Sequence, residues 1–455
     1  MQAARVRKAG SVSSLSSGMR RRLGFILLGS NLLGLNLLGL NLLGLNLLGA
    51  SAAGQSVSSN RSAAPAQPLP PIEEAQSLGQ NFYLQSGSTA LVLIVVRGNQ
   101  TLLTTFGESY PGSHQLPAAN SLLRLCSLTK IFTTDLLVKL MQANVVRLDT
   151  PLASLGPQPA RGAGAPRAQA QRASKRPITL GDLATHTAGL PRELGSGPRG
   201  TAHFTYPTPG MRWAWLATHR LRFTPGSAAL YSNIGFDLLS DALAQAARVP
   251  YPQLLAARTL QPLGMFDTTF TPSELQCARL LQGAYPQGAC AETTNTDGSS
   301  GLYSTPADMA RFLQYLLGAG RPPSAGQPLP RQSPAAQAVY LNPASLTSIS
   351  GLSHAGDPTG IGLGWIQIAG SSNADGSSNT IVEKTGGGAG FTTYIAMLPA
   401  QHTGLFFAVT DGPGQAHFNL FGRANNILLT LAGLPAMALP QSPAAAKHRA
   451  RRPGH

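Results

Sequence analysis

The chain has 455 residues, 43% of them hydrophobic, and a formal net charge of +16. That length provides for one or two domains with a large core. The charge does not make it a nucleic-acid binder: fifteen of the sixteen charges lie in residues 1–22, residues 155–176 and the tail after Pro440, with no basic stripe interleaved with aromatics elsewhere.

The N-terminus reads as an export signal. Arg5, Arg7, Lys8 and Arg20–Arg22 precede an uncharged apolar run from Leu23 to Leu48. Asn-Leu-Leu-Gly recurs there at Asn31, Asn36, Asn41 and Asn46. A five-residue step turns a helix by about 140°, so these Asn define no packing face. Ala50-Ser51-Ala52 fits a small-residue cleavage site, which favours a cleaved signal over an uncleaved anchor. We therefore assign residues 1–52 to a signal peptide and 53–75, rich in Ser, Ala, Pro and Gln, to a linker. Export to the periplasm follows, with a loose membrane association through the N-terminus as the variant if cleavage fails. Order is expected to begin near Glu74.

Ala90–Val96, the turn Arg97-Gly98-Asn99-Gln100 and Thr101–Phe106 read as strand–turn–strand. Ser127–Ala143 has helical spacing. Residues 155–176 form a Pro/Ala/Arg insert. Thr179 is a candidate N-cap for the next helix, and helices are expected to dominate to about Ala319, among them Asn233–Ala247 and Thr305–Leu317. Residues 321–335 read as a Pro-rich loop. Four strand-like runs follow, Gly360–Ile368, Thr380–Thr385, Phe391–Leu398 and Gly404–Thr410, and then a final helix, His417–Leu431. Strands at both ends with helices between predict an α/β (α+β) fold: one antiparallel sheet built from both chain ends, flanked by helices and carrying an inserted, mainly helical domain. The main folded domain spans 76–440, its helical part about 145–350, and 441–455 is a basic disordered tail.

Three cysteines are present. Cys277 and Cys290 flank a short Gly/Pro-containing loop, compatible with a disulfide after export or with two thiols. Cys126 reads as a small buried packing residue. No metal-ligand spacing occurs, so neither metal nor cofactor is expected.

Three strings carry the chemistry: Ser127-Leu128-Thr129-Lys130, Tyr231-Ser232-Asn233 and Lys384-Thr385-Gly386. Two of the chain's six lysines fall in them. Ser127 and Lys130 share one helix face. A serine hydroxyl needs a base, and a lysine serves if burial, a second cation or a helix N-terminus lowers its pKa. Ser127 at a helix start also presents its own N–H to an oxyanion. Nearby cations would tune Tyr231 as phenolate or proton shuttle. Asn233 can donate to a substrate carbonyl and accept from Lys130. Lys384 and Thr385 can hold a carboxylate, Gly386 allows close backbone approach, and Gly387 can offer a second oxyanion N–H.

With these strings the chain resembles the serine penicillin-recognising enzymes from about Asn81 to Leu431. Within them it resembles the class C β-lactamase-like branch, with low-molecular-weight penicillin-binding proteins, and most of all the AmpH-type D-alanyl-D-alanine carboxypeptidase/endopeptidases. Leu183–Leu190 (with His186 structural), Phe223–Gly226, Pro262–Met265 and Gly301–Pro306 add to the likeness. The resemblance implies Ser127 as nucleophile, Lys130 as its base, Tyr231 as proton relay and Asn233 as substrate positioner. Lys384 and Thr385 would bind the terminal carboxylate. It implies peptidoglycan stem peptides as substrates and β-lactams as covalent ligands. Glu193 is set aside as a deacylation base because the branch does not require one. The rival readings are a class C-type β-lactamase using the same residues, a related esterase, and a non-catalytic peptidoglycan-binding or antibiotic-sensing module.

Overall fold

Two helix-covered faces of one antiparallel sheet organise the molecule. The computed structural model describes residues 68–157, 176–319, 331–372, 378–412 and 419–439. The expected signal peptide, most of the linker (53–67), the bulk of the basic insert (158–175), residues 320–330 of the Pro-rich loop, and the tail 441–455 lie outside the described residues.

Helix α1 (Glu74–Ser86) comes first, where the sequence predicts only that order begins. Strands β1 (Ala90–Arg97) and β2 (Gln100–Gly107) follow as a hairpin in which Arg97 faces Gln100 and Gly98 takes a positive φ of 55° at the turn. Then come β3 (Leu123–Arg124), α2 (Thr129–Gln142), α3 (Leu180–Ala184), α4 (Pro209–Thr218), β4 (Ala229–Leu230), α5 (Asn233–Ala247), β5 (Tyr303–Ser304), α6 (Pro306–Leu317) and β6 (Ile349–Ser350). The chain closes with β7 (Pro358–Ile361), β8 (Ile366–Ser372), β9 (Ser378–Gly388), β10 (Phe391–Leu398), β11 (Thr403–Thr410) and α7 (Leu420–Leu431).

The main sheet has the order β2-β1-β11-β10-β9-β8-β7, all antiparallel. Its centre is buried on both faces. Along β1, Val92, Ile94 and Val96 join one core with α2, α5 and α6, while Leu91, Leu93 and Val95 join another with α1 and α7. That alternation is the two-residue period of a strand, and it explains why β1 is apolar throughout.

Three expectations needed correction. Gly360–Ile368 is not one strand: Gly362 N–H donates to Trp365 O at 2.8 Å and Gly364 takes φ 73°, so the chain turns and supplies both β7 and β8. Residues 278–305 contain no α-helix, only a single turn at Thr294–Thr296. Here the backbone runs so close to α5 that a Cβ on Gly298 would sit 2.1 Å from Phe236 O. Finally, a helical turn, Pro334–Gln337, starts at the end of the expected Pro-rich loop and runs past it. The predicted Thr179 cap stands: its hydroxyl accepts from Asp182 N–H in a reciprocal capping box.

Candidate active site

Ser127 lies on the tight turn Cys126–Leu128 that leads into α2. The turn is held from both sides. Leu125 N–H donates to Leu302 O at 2.9 Å, and Thr393 Oγ1 on β10 donates to Leu125 O at 2.9 Å. Thr129 Oγ1 donates to Cys126 O at 2.7 Å and accepts from Leu302 N–H at 3.1 Å. Cys126 is wholly buried with φ 52°, and burial pushes its thiol up to about 12. It is a packing residue, not a second nucleophile.

Lys130 follows one turn later, fully buried. Its Nζ donates to Asn233 Oδ1 at 2.6 Å and to Ser299 O at 2.8 Å, and stands 3.3 Å from Ser127 Oγ. Burial lowers its pKa to about 7, assisted by Arg192 and opposed by Asp237 and Glu193. Both of the closer partners only accept hydrogen bonds. A neutral Lys130 therefore spends its two N–H groups on them and turns its lone pair to Ser127.

Tyr231 and Asn233 enter from the β4–α5 junction. Tyr231 Oη is 2.7 Å from Ser127 Oγ. Ser232 caps α5, its hydroxyl accepting from Gly235 N–H at 2.9 Å. The segment His186–Glu193 runs alongside. Leu230 N–H donates to His186 O, Ser232 N–H to His186 Nδ1, Ser232 Oγ to Pro191 O and Asn233 N–H to Arg192 O, at 2.9, 3.1, 2.6 and 3.0 Å. Asn233 Nδ2 donates to Glu193 Oε1. His186 stacks its ring 4.5 Å from that of Tyr231. Burial, then the charges of Lys130, Lys384 and Arg192, drive its pKa well down, so it is a neutral prop, the structural role expected of it.

Three basic side chains surround the Tyr231 ring: Arg192 at 4.7 Å from its centroid, Lys130 at 4.9 Å and Lys384 at 5.4 Å. Lys384 is buried on β9, and burial lowers its pKa. One of its N–H groups donates to Thr385 O at 2.7 Å, leaving two for a ligand. Thr385 is half-buried and Gly387 exposed. β8 pairs with β9 only as far as Glu383, so among the described residues the same edge beyond Glu383 carries no paired strand. A Cβ on Gly386 would lie 2.2 Å from Thr393 Oγ1, 2.8 Å from Leu125 O and 3.2 Å from Ser127 N, which fixes how closely this strand hugs the Ser127 turn.

All seven expected residues thus fall in one region. Ser127, Lys130, Tyr231 and Asn233 are directly bonded, Lys384 faces the Tyr231 ring, and Thr385 and Gly387 continue along β9. The sequence reading did not find Arg192, Ser299 O or Asp237. Asp237 lies one turn after Asn233 on α5, an i, i+4 step, and is wholly buried. Among the described residues neither carboxyl oxygen has a partner at full hydrogen-bond geometry, and the Ser299 side chain lends it polar support. Burial raises its pKa to about 7 against the pull of Arg212 and Lys130. The i, i+4 spacing was a readable signal; Arg192 and Ser299 O gave none, because one acts through a loop and the other through its backbone.

The Beta-lactamase family model matches residues 76–426. The chain is 38% identical over 392 residues to the D-alanyl-D-alanine-carboxypeptidase/endopeptidase AmpH of Escherichia coli (strain K12), covering 85% of this chain and 97% of that one. A crystal structure of a Beta-lactamase/D-alanine carboxypeptidase from Yersinia pestis complexed with citrate aligns with TM-score 0.70 and 36% identity, over 78% of this chain and 98% of that one. A class C beta-lactamase aligns with TM-score 0.59 at 19% identity, over 77% and 94% of the two chains, a likeness of fold.

Proposed function

The chain belongs to the beta-lactamase family, and from that premise we propose that it is a serine-type D-alanyl-D-alanine carboxypeptidase/endopeptidase acting on peptidoglycan stem peptides through an acyl-Ser127 intermediate. One observation carries the reading: Ser127 Oγ lies 2.7 Å from the Tyr231 hydroxyl and 3.3 Å from a Lys130 amine whose other hydrogens are engaged by acceptors.

In this mechanism neutral Lys130 takes the Ser127 proton as Oγ attacks the carbonyl of the penultimate D-Ala. The N–H groups of Ser127 and Gly387 receive the oxyanion. Tyr231 passes a proton to the departing amine, and the terminal D-Ala leaves. Water then attacks the acyl-serine and frees Oγ again. Lys384 and Thr385 hold the terminal carboxylate by charge and hydroxyl, and Asn233 positions the acyl-side amide. A β-lactam presents a carbonyl and a carboxylate in similar relation, so it acylates the same oxygen. The basic N-terminal run, the apolar stretch after it and the Cys277–Cys290 disulfide support an exported, periplasmic protein, with loose membrane association through its N-terminus as the finer expectation. Among the described residues no helix is long and apolar enough to cross a membrane.

The test incubates the mature chain with a fluorescent penicillin, with nitrocefin and with a stem pentapeptide, beside Ser127→Ala. The expected result is a covalent label and D-Ala release, both lost in the variant. Rapid nitrocefin turnover without D-Ala release would make it a β-lactamase. Binding without release that survives Ser127→Ala would make it a binding module.

A further inference from the structure

Arg192 is a charge at the site for which the mechanism above has no use. Its side chain is exposed, yet its guanidinium lies 4.7 Å from the Tyr231 ring centroid. Contact with a ring does not satisfy the N–H donors, which fan out in the guanidinium plane. Among the described residues no ion pair includes Arg192 and no side-chain hydrogen bond engages it. The adjacent carboxylate, Glu193, accepts from the Asn233 amide instead. The facing wall is bare backbone. Tyr231 N–H donates to Ser350 O at 3.0 Å, and the next residue is glycine. A Cβ on Gly351 would sit 3.0 Å from Tyr231 Cβ and 3.8 Å from Arg192 Nη1, so the glycine keeps that side of Nη1 clear of a side chain.

The guanidinium stands on the leaving-group side of the pocket. Asn233, which the mechanism gives to the acyl-side amide, is engaged by Glu193. Tyr231, which delivers the proton to the departing amine, is engaged by Arg192. Lys384, which holds the α-carboxylate of the departing residue, approaches the same ring at 5.4 Å. Burial first, then Lys384 and Arg192, lower the pKa of His354, which puts that imidazole beside both. A terminal D-Ala brings one carboxylate and a methyl group. Lys384 takes the carboxylate, and the permanent charge on Arg192 still faces open space. A planar fork of donors is matched best by a second carboxylate.

We propose that Arg192 is a specificity-determining residue, and that it forms a second anion subsite for departing residues whose side chain carries a carboxylate. The inference rests on the peptidase reading above and names a substrate class for the same site.

The experiment uses three matched peptides, Nα,Nε-diacetyl-L-Lys-D-Ala-D-X with X as D-Glu, D-Gln or D-Ala, and reads release of X by the full mature chain. D-Glu and D-Gln share shape and differ in charge. Wild type is expected to favour D-Glu over D-Gln by about tenfold in kcat/KM, the size of one charge-assisted contact open to solvent. Arg192→Lys keeps a preference for D-Glu, Arg192→Gln brings the ratio close to one, and Arg192→Glu reverses it. Each ratio is internal to one protein, so a general loss of rate in a variant does not disturb it. Equal kcat/KM for D-Glu and D-Gln in wild type overturns the inference, as does release of D-Ala alone. An unchanged ratio in Arg192→Gln, with all three peptides slowed alike, means that Arg192 shares the α-carboxylate with Lys384, and it too overturns the inference. All three results leave the peptidase reading standing. If no peptide is cleaved, it is the peptidase reading that falls. The subsite is then read from protection of Ser127 against fluorescent penicillin. Protection by the D-Glu peptide at about tenfold lower concentration than the D-Gln peptide upholds it, and equal protection overturns it.

Discussion

Lys130 sits nearer to Asn233 than to Ser127, with Nζ–Oδ1 2.6 Å and Nζ–Oγ 3.3 Å. The short contact pins the amine by its hydrogens, and in the proposed mechanism the longer one is where a proton moves. A buried amine held in this way is a base that has been aimed before substrate arrives.

The pH dependence follows from that amine. Burial lowers Lys130 to about 7, and only the neutral form can take the Ser127 proton. The expected kcat/KM for D-Ala release therefore rises with pH through about 7, over a scan of roughly pH 5 to 9. Asp237 and Lys130 titrate as a pair, so the limb reports both. Asp237→Asn removes a negative charge that favours the ammonium, which moves the rising limb to lower pH. A limb that stayed in place or moved upward would count against this arrangement.

Tyr231→Phe removes the 2.7 Å hydroxyl contact and keeps the ring that His186 stacks on. The expected outcome is a loss of about 10²–10⁴ in the rate of penicillin acylation, the range of a positioned proton donor, with an unchanged circular dichroism spectrum. Stopped-flow labelling checks it.

Gly386→Ala places a methyl group 2.2 Å from Thr393 Oγ1 and 2.8 Å from Leu125 O. Those atoms belong to the hydrogen bond that ties β10 to the Ser127 turn, so neither can yield cheaply. A stability loss of about 1–3 kcal/mol is expected, as for overpacking elsewhere, together with loss of covalent labelling. Urea unfolding and a gel-based penicillin assay measure the two.

The Cys277–Cys290 disulfide closes a segment with a sequence separation of 13. Constraining an unfolded loop of that size stabilises by about 3 kcal/mol. The tethered stretch supplies Ala289 O to Arg124 Nη2 at 2.7 Å, and β3, which carries Arg124, leads directly into the Ser127 turn. Reduction, or Cys277→Ala with Cys290→Ala, is expected to lower the melting temperature and to slow acylation as well. A normal acylation rate in the doubly substituted protein would separate the bridge from the site.

The sequence made the site legible because its side chains come in short strings whose internal spacing is set by local structure. Ser127 and Lys130 need only one helical turn, and Lys384 and Gly386 only one strand. The sheet was legible for the same reason: β1 and β2 are β-branched runs around a turn. The misreadings arose where tertiary packing outweighs local preference. Gly360–Ile368 looks like one strand until the turn at Gly362–Trp365 packs beneath α3, with Gly364 N–H donating to Ala184 O at 2.8 Å. Backbone partners such as Ser299 O leave no side-chain signal at all. Glu193 was visible but set aside as a base, and its bond to Asn233 comes from a loop path that no spacing rule describes.

At the heart of the sheet, Ala90 N–H donates to Thr410 Oγ1 across 320 residues. A nascent polypeptide cannot make that joint until almost its whole length has been synthesised. The first hairpin must wait, greasy on both sides, for a neighbour that arrives last. Non-local closure of this kind slows folding and lengthens exposure to aggregation. A chain cut short before Thr410 would yield no partial enzyme.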